Sequence, residues 1–307
     1  MKRALLVLLV LSGCTAAPPR ATVVTPTPSP APARTPTVAP VVFDAGRALA
    51  DGRAIAAVGP RGTTDASYRR AADLVASRLR ALGYRVRTIP FTVQGGYTIV
   101  PGRHVPVAAG STYDVVAEPP HFDMRKPFVL AGGHLDTVPG APGANDNASG
   151  VAVMLELARM ARLDPPQLPV VFVAFAAEER RHQTASQSEY AQGSAAYVHA
   201  LPVYARLRAM LDLDMVGAGS RVELLGTPSL VTRAAGIAAT ARIPAHRNTT
   251  FFLSDHLPFI QAGYPVLWLW AGDNPTLHTP RDTFAIVQRA ELARAGTLAW
   301  LFLHPLH

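Results

Sequence analysis

The chain has 307 residues, 49% of them hydrophobic, and a formal charge of +8. That is enough apolar material for one large core, and the positive charge comes from scattered arginines, with Lys2 and Lys126 as the two lysines. No dense basic run interleaves with aromatics, so nucleic acid is not an expected partner, and the lack of Gly-Lys-Ser/Thr excludes a P-loop.

The first segment, "MKRALLVLLVLSGC", has a basic start at Lys2 and Arg3 and a short apolar run over residues 4–11. The run is too short to span a bilayer and suits an export signal. Leu11-Ser12-Gly13-Cys14 resembles a bacterial lipobox, so Cys14, the single cysteine, is expected to carry a lipid. The chain is therefore expected to be exported and membrane-anchored, facing the periplasm or the cell exterior. A single cysteine excludes an internal disulfide. Residues 15–42 hold eight prolines among Ala, Thr and Ser. Such a segment builds no core and reads as an extended tether. Residues 1–14, 15–42 and 43–307 are thus signal, tether and one folded domain.

Within the folded part, apolar residues at helical spacing (Ala71, Leu74, Val75, Leu79, Leu82) predict a helix that stops at Gly83, with a strand over residues 86–93. Further strands are predicted at residues 113–117, 128–132, 170–176, 208–215 and 266–270. Helices are predicted at 150–163, 194–201, 229–241 and 289–303. This alternation indicates an α/β fold with a mixed, mostly parallel central sheet flanked by helices. Near-continuous apolar runs such as "PVVFVAFA" fit strands covered on both faces.

Four of these strands deliver polar residues at their carboxyl ends, where open α/β sheets place their chemistry. His134 and Asp136 follow the first, with Asp146 in the next loop. Glu178 and Glu179 follow the second, Asp214 the third, and His278 the fourth across a short loop. His134, Asp146, Glu179, Asp214 and His278 are two imidazoles and three carboxylates, a donor set suited to zinc or a similar divalent metal. It is generous for one ion and suits two that share a carboxylate. Glu178, beside a ligand, is placed to serve as a base. There is no His-Glu-x-x-His helix, Gly-x-Ser-x-Gly elbow or Gly-x-Gly-x-x-Gly turn.

The order of "HLD" at His134, "PGANDNASGVA", "FVAFAAEE", "LDLDMVG", "SDHLPF" and "HTPRDT" resembles the secreted dizinc aminopeptidases of bacteria and fungi. The resemblance runs from about Ala56 to the C-terminus and includes "PRGTTDASYRRAADLVASRLRALGY". It implies the zinc-exopeptidase fold and hydrolysis of N-terminal residues from peptides with a free N-terminus. It implies two Zn2+ ions bridged by Asp146, with Glu179 and His278 completing one site and His134 and Asp214 the other. Glu178 would be the general base, and Asp136 would fix the His134 tautomer. It also implies a cis peptide bond between Asp146 and Asn147.

Two departures stand out. Several members of that family carry Tyr where this chain has Leu277, and residues 180–192 form an insertion after the Glu-Glu pair. The insertion is expected to be a loop at the rim of the cleft, with Tyr190 as a substrate contact and Ser194 as the N-cap of the next helix. Asp255 and Leu277 are further cleft candidates. The same fold also serves glutaminyl cyclases and carboxypeptidases or dipeptidases, and a catalytically inactive binding lipoprotein is the alternative from outside the enzymes.

Overall fold

A computed structural model describes residues 13, 40–250, 253–272 and 274–305. Cys14 and the predicted tether up to residue 39 lie outside the described residues. No helix among the described residues is long and apolar enough to cross a membrane.

Among the described residues, eight strands form the main sheet. At one side β1 (Arg85–Val93) pairs antiparallel with β4 (Gly110–Glu118), and β4 pairs antiparallel with β6 (Val170–Phe175). The centre is parallel: β6 pairs with β5 (Phe128–His134), β5 with β9 (Leu207–Leu213), and β9 with β12 (Val266–Trp270). Beyond β12 lie β10 (Val222–Gly226), antiparallel to it, and β11 (Ala245–Arg247). The mixed, mostly parallel sheet predicted from the alternation is therefore the one observed.

Both faces of the central strands are buried, and alternate side chains serve the two sides. Val129, Ala131, Phe172, Ala174, Leu211 and Leu267 face a core shared with α1 (Ala45–Ala56), α2 (Ala66–Ala81), α3 (Gly150–Leu163), α5 (Pro228–Ala241) and α7 (Arg289–Leu303). Phe128, Leu130, Val171, Val173, Phe175 and Met210 face a second core capped by Tyr197 of α4 (Gln192–Ala200) and Phe259 of α6 (His256–Gln261). Each fully buried aliphatic or aromatic side chain contributes about 1.5–3 kcal/mol, so the four central strands form a rigid base for whatever their ends carry.

Several elements were not anticipated. The first helix, α1, opens at Asp44, whose side chain accepts from the amides of Gly46 and Arg47. A hairpin of β2 (Gly96–Val100) and β3 (Arg103–Val107) starts a second, smaller sheet. The insertion, expected to be a loop, extends that sheet: β7 (Arg181–His182) pairs with β2 at Tyr97 and with β8 (Ser188–Glu189). Arg181 is buried, and its guanidinium donates to the carbonyls of Gln94 and Ala108, while the His182 ring stacks on Tyr97. Polar and stacking contacts, not an apolar period, therefore fasten this segment. The helix after the insertion starts at Gln192 with Ala191 in the N-cap position, so Ser194 lies inside it and donates to the Ala191 carbonyl.

Candidate metal centre and active site

The four parallel strands end on one rim, and the turns that follow carry the predicted residues. Strand β5 reaches the rim through Gly132 and Gly133. A Cβ on Gly133 would lie 2.3 Å from the Leu213 carbonyl oxygen, so only glycine lets β5 approach β9 closely just before His134. The turn Ala144–Ser149 carries Asp146, and the Asp146–Asn147 peptide bond is cis, as the resemblance implies. The Asn147 side chain staples this turn to the end of β9. Its Nδ2 donates to the Leu213 carbonyl (2.8 Å), and its Oδ1 accepts from the amides of Gly150 (2.9 Å) and Met215 (3.2 Å).

All five predicted ligands converge. His134 Nε2 lies 3.1 Å from Asp146 Oδ1 and 3.4 Å from Asp214 Oδ1. His278 Nε2 lies 3.3 Å from Asp146 Oδ2 and 3.1 Å from Glu179 Oε2. The two oxygens of Asp146 thus face two different imidazoles, each with its own further carboxylate. Ligand atoms of His134, Asp146 and Glu179 fall within 4.8 Å of one another, and so do those of His134, Glu178 and Asp214. All but His278 are buried; its side chain is 29% exposed and marks the open side.

The donor set fits metal cations. Four carboxylates crowd a buried site with two imidazoles, and Glu179 Oε1 has no hydrogen-bond partner among the described residues. Burial pushes the carboxyls of Glu178, Glu179 and Asp214 above their ordinary range. Burial acts the same way on Asp146, but hydrogen bonds from His134 and His278 outweigh it and hold that carboxyl low. Burial would lower both imidazoles, yet the surrounding carboxylates win: His134 is raised, and His278 is pushed up to about 11. A field that holds protons on both imidazoles is one that attracts divalent cations.

Three residues at the rim adopt left-handed backbone conformations without being glycine: Ala177 (φ 54°), Met215 (φ 50°) and His278 (φ 58°). Each is itself a predicted ligand or adjoins a predicted site residue, and such outliers persist where the surroundings enforce them.

The supporting groups differ from expectation at Asp136. His134 Nδ1 is 3.1 Å from the Asp136 main-chain carbonyl, whereas the Asp136 carboxylate is 3.8 Å away. Donation to that carbonyl leaves Nε2 free to act as a ligand. The carboxylate instead accepts from the amides of Glu178 (3.1 Å) and Glu179 (3.4 Å) and from Thr63 Oγ1 (2.9 Å). It fixes the backbone that carries the Glu-Glu pair. Ser254 Oγ donates to Asp214 Oδ2 at 2.8 Å, which ties "SDHLPF" to a predicted ligand. Asp255 is fully buried, and burial raises its carboxyl well above the usual range. Leu277 is half-buried beside His278. Tyr190 reaches Glu178, its hydroxyl donating to Oε1 at 2.7 Å. Burial, then the Glu178 charge, raise the phenol, which stays protonated.

Two further residues, Arg61 and Asp282, escaped the sequence reading. The Asp282 carboxylate accepts from the amides of Asn145 (2.9 Å) and Asp146 (3.0 Å), setting the turn that aims Asp146. Arg61 is fully buried and donates to the carbonyls of Gly59, Leu135, Pro142 and Gly143. Burial lowers its guanidinium to about 10, with Asp136, Asp146 and Asp282 opposing, so it stays charged at neutral pH. Arg61→Ala would strip these carbonyls of their donor, at a cost of about 3 kcal/mol or more. Thermal unfolding should then show a melting temperature lower by on the order of 10 °C. An unchanged melting temperature would mean that the clamp is dispensable.

Residues 114–303 match Peptidase family M28. Aminopeptidase YwaD of Bacillus subtilis (strain 168) is 33% identical over 188 residues, 56% of this chain and 39% of that protein. The chain spans less than half the length of the curated relatives it first matches, 39%, 36% and 46%. The fold is that of a zinc aminopeptidase from Bacillus subtilis, with a TM-score of 0.73, 20% identity, and 85% of this chain and 94% of that one covered. A glutaminyl cyclase from Fimbriiglobus ruber superposes with a TM-score of 0.74 and 21% identity, over 90% of this chain and 100% of that one.

Proposed function

The chain belongs to peptidase family M28, and from that premise we propose that it is a dizinc aminopeptidase that removes N-terminal residues from peptides. The observation that carries this reading is the split environment of Asp146, whose Oδ1 faces His134 and whose Oδ2 faces His278. A carboxylate so placed suits a bridge between two ions, one held with Glu179 and His278, the other with His134 and Asp214. Zinc held by these residues would supply Lewis acidity toward the scissile carbonyl and the attacking water.

The chain's own groups do the rest. Glu178, held at its amide by Asp136, takes a proton from the attacking water as the C–O bond forms. It returns that proton to the peptide nitrogen as the C–N bond breaks. The density of buried carboxylate around the centre (Asp146, Glu178, Glu179 and Asp214) favours a substrate that brings a free amino group. The lipobox-like segment extends the proposal to an exported enzyme anchored through a lipid on Cys14.

The test is a panel of aminoacyl anilides, free and N-acetylated, and of short peptides with free or blocked carboxyl ends, with and without added zinc and with chelator. Hydrolysis of the free-amino substrates alone, abolished by chelator and restored by zinc, is the expected result. Cleavage that needs a free carboxyl end instead would make the protein a carboxypeptidase or dipeptidase. Conversion of N-terminal glutamine to pyroglutamate without hydrolysis would make it a cyclase, and inactivity in a protein that takes up no zinc when zinc is added would make it a binding protein.

A further inference from the structure

The insertion after the Glu-Glu pair returns to the strand end it leaves. The amides of Ala191, Gln192 and Gly193 donate to the carbonyls of Glu178 (3.1 Å), Ala177 (2.9 Å) and Ala176 (3.0 Å). Ala177 and Ala191 are both left-handed, at φ 54° and 50°, so the chain turns sharply on either side of this closure. The closure lays the residue before it, Tyr190, over Glu178. Its hydroxyl donates to Glu178 Oε1 at 2.7 Å, and among the described residues no other side chain hydrogen-bonds that carboxylate. The ring is also held by Arg180, whose guanidinium carbon lies 5.3 Å from the ring centroid while its Nη1 donates to Ser188 Oγ. Arg181, anchored on the carbonyls of Gln94 and Ala108, and the pairing of β7 with β2 fix the far part of the segment.

On the reading of Glu178 as general base, we propose that Tyr190 is its positioning residue: the phenol holds Oε1 and leaves Oε2 aimed at the attacking water. A carboxylate on a two-bond stem at the end of a strand has freedom to rotate away from the reacting water, and misplacement of about 1 Å is costly to proton transfer. A single charge-assisted hydrogen bond from a pinned phenol removes that freedom. On this account the insertion supports the base, in place of the substrate contact expected from its position in the sequence.

Tyr190→Phe keeps the ring and removes the donor. With free aminoacyl anilide, and rates normalised to bound zinc so that partial unfolding does not mimic the effect, kcat should fall about 10- to 100-fold and KM should change less than about twofold. In the Glu178→Gln background the same substitution should change the residual rate by less than about twofold, because it acts through Glu178. An unchanged kcat in Tyr190→Phe overturns the proposal. So does an equal loss in both backgrounds, or a higher KM at native kcat, which would mark Tyr190 as a substrate contact. Failure here is separable from failure of the proposed function. If native enzyme turns over and Glu178→Gln does not while Tyr190→Phe is native-like, only this inference falls. If native zinc-loaded protein hydrolyses no aminoacyl anilide, both fall.

Discussion

Glu178→Gln should lower kcat by about a hundred- to ten-thousandfold while leaving bound zinc and the melting temperature as in the native protein. The substitution keeps shape and removes the proton acceptor. Tyr190, the partner of Oε1, can keep a hydrogen bond to a glutamine side chain, so the buried position stays satisfied. The neighbour behaves differently because the two side chains leave the strand end in different directions. Glu179 Oε2 lies 3.1 Å from His278 Nε2, and its other oxygen is buried without a hydrogen-bond partner among the described residues. Glu179→Gln replaces an oxygen proposed to bind metal with an amide nitrogen and should release metal, with activity returning only in part at high zinc. Steady-state kinetics alongside metal analysis separates the two. Zinc loss in Glu178→Gln with an active Glu179→Gln would reverse the assignment.

The second large effect is expected at Asp146. Asp146→Asn leaves the backbone turn intact, since Asp282 holds it through main-chain amides. It removes one of the two oxygens that face separate imidazoles. An amide presents one good ligand oxygen, so two ions could not share it. Zinc content should fall to at most one per chain, and kcat/KM should drop by at least about a thousandfold. Retention of two ions and native activity would show that Asp146 does not bridge.

His134, Glu178, Glu179 and Asp214 were legible because they sit at or just after the ends of long apolar runs, with Asp146 and His278 in the loops that follow two of them. β5, β6, β9 and β12 are buried on both faces, so their sequences are nearly unbroken in hydrophobicity and their ends are easy to find. Parallel pairing of these four then places His134, Glu178, Asp214 and His278 on one rim without further information. The hairpin of β2 and β3 was not legible: each strand has five residues with mixed burial, too short for a period to emerge. Arg61 and Asp282 were missed for another reason. Apart from Arg61 to the Gly59 carbonyl, they act on main-chain groups 74 to 137 residues away in sequence, and no side-chain pattern records which carbonyl or amide a buried charge will meet. Tyr190 was singled out as an aromatic in a polar insertion. Its place on Glu178, however, depends on left-handed turns at Ala177 and Ala191, which alanine does not announce.

Anomalous diffraction at the zinc edge from crystals of the zinc-loaded protein tests the central claim most directly. Two peaks are expected on either side of Asp146, one beside His134 and Asp214 and the other beside Glu179 and His278. A single peak, or two peaks that do not share Asp146, would contradict it.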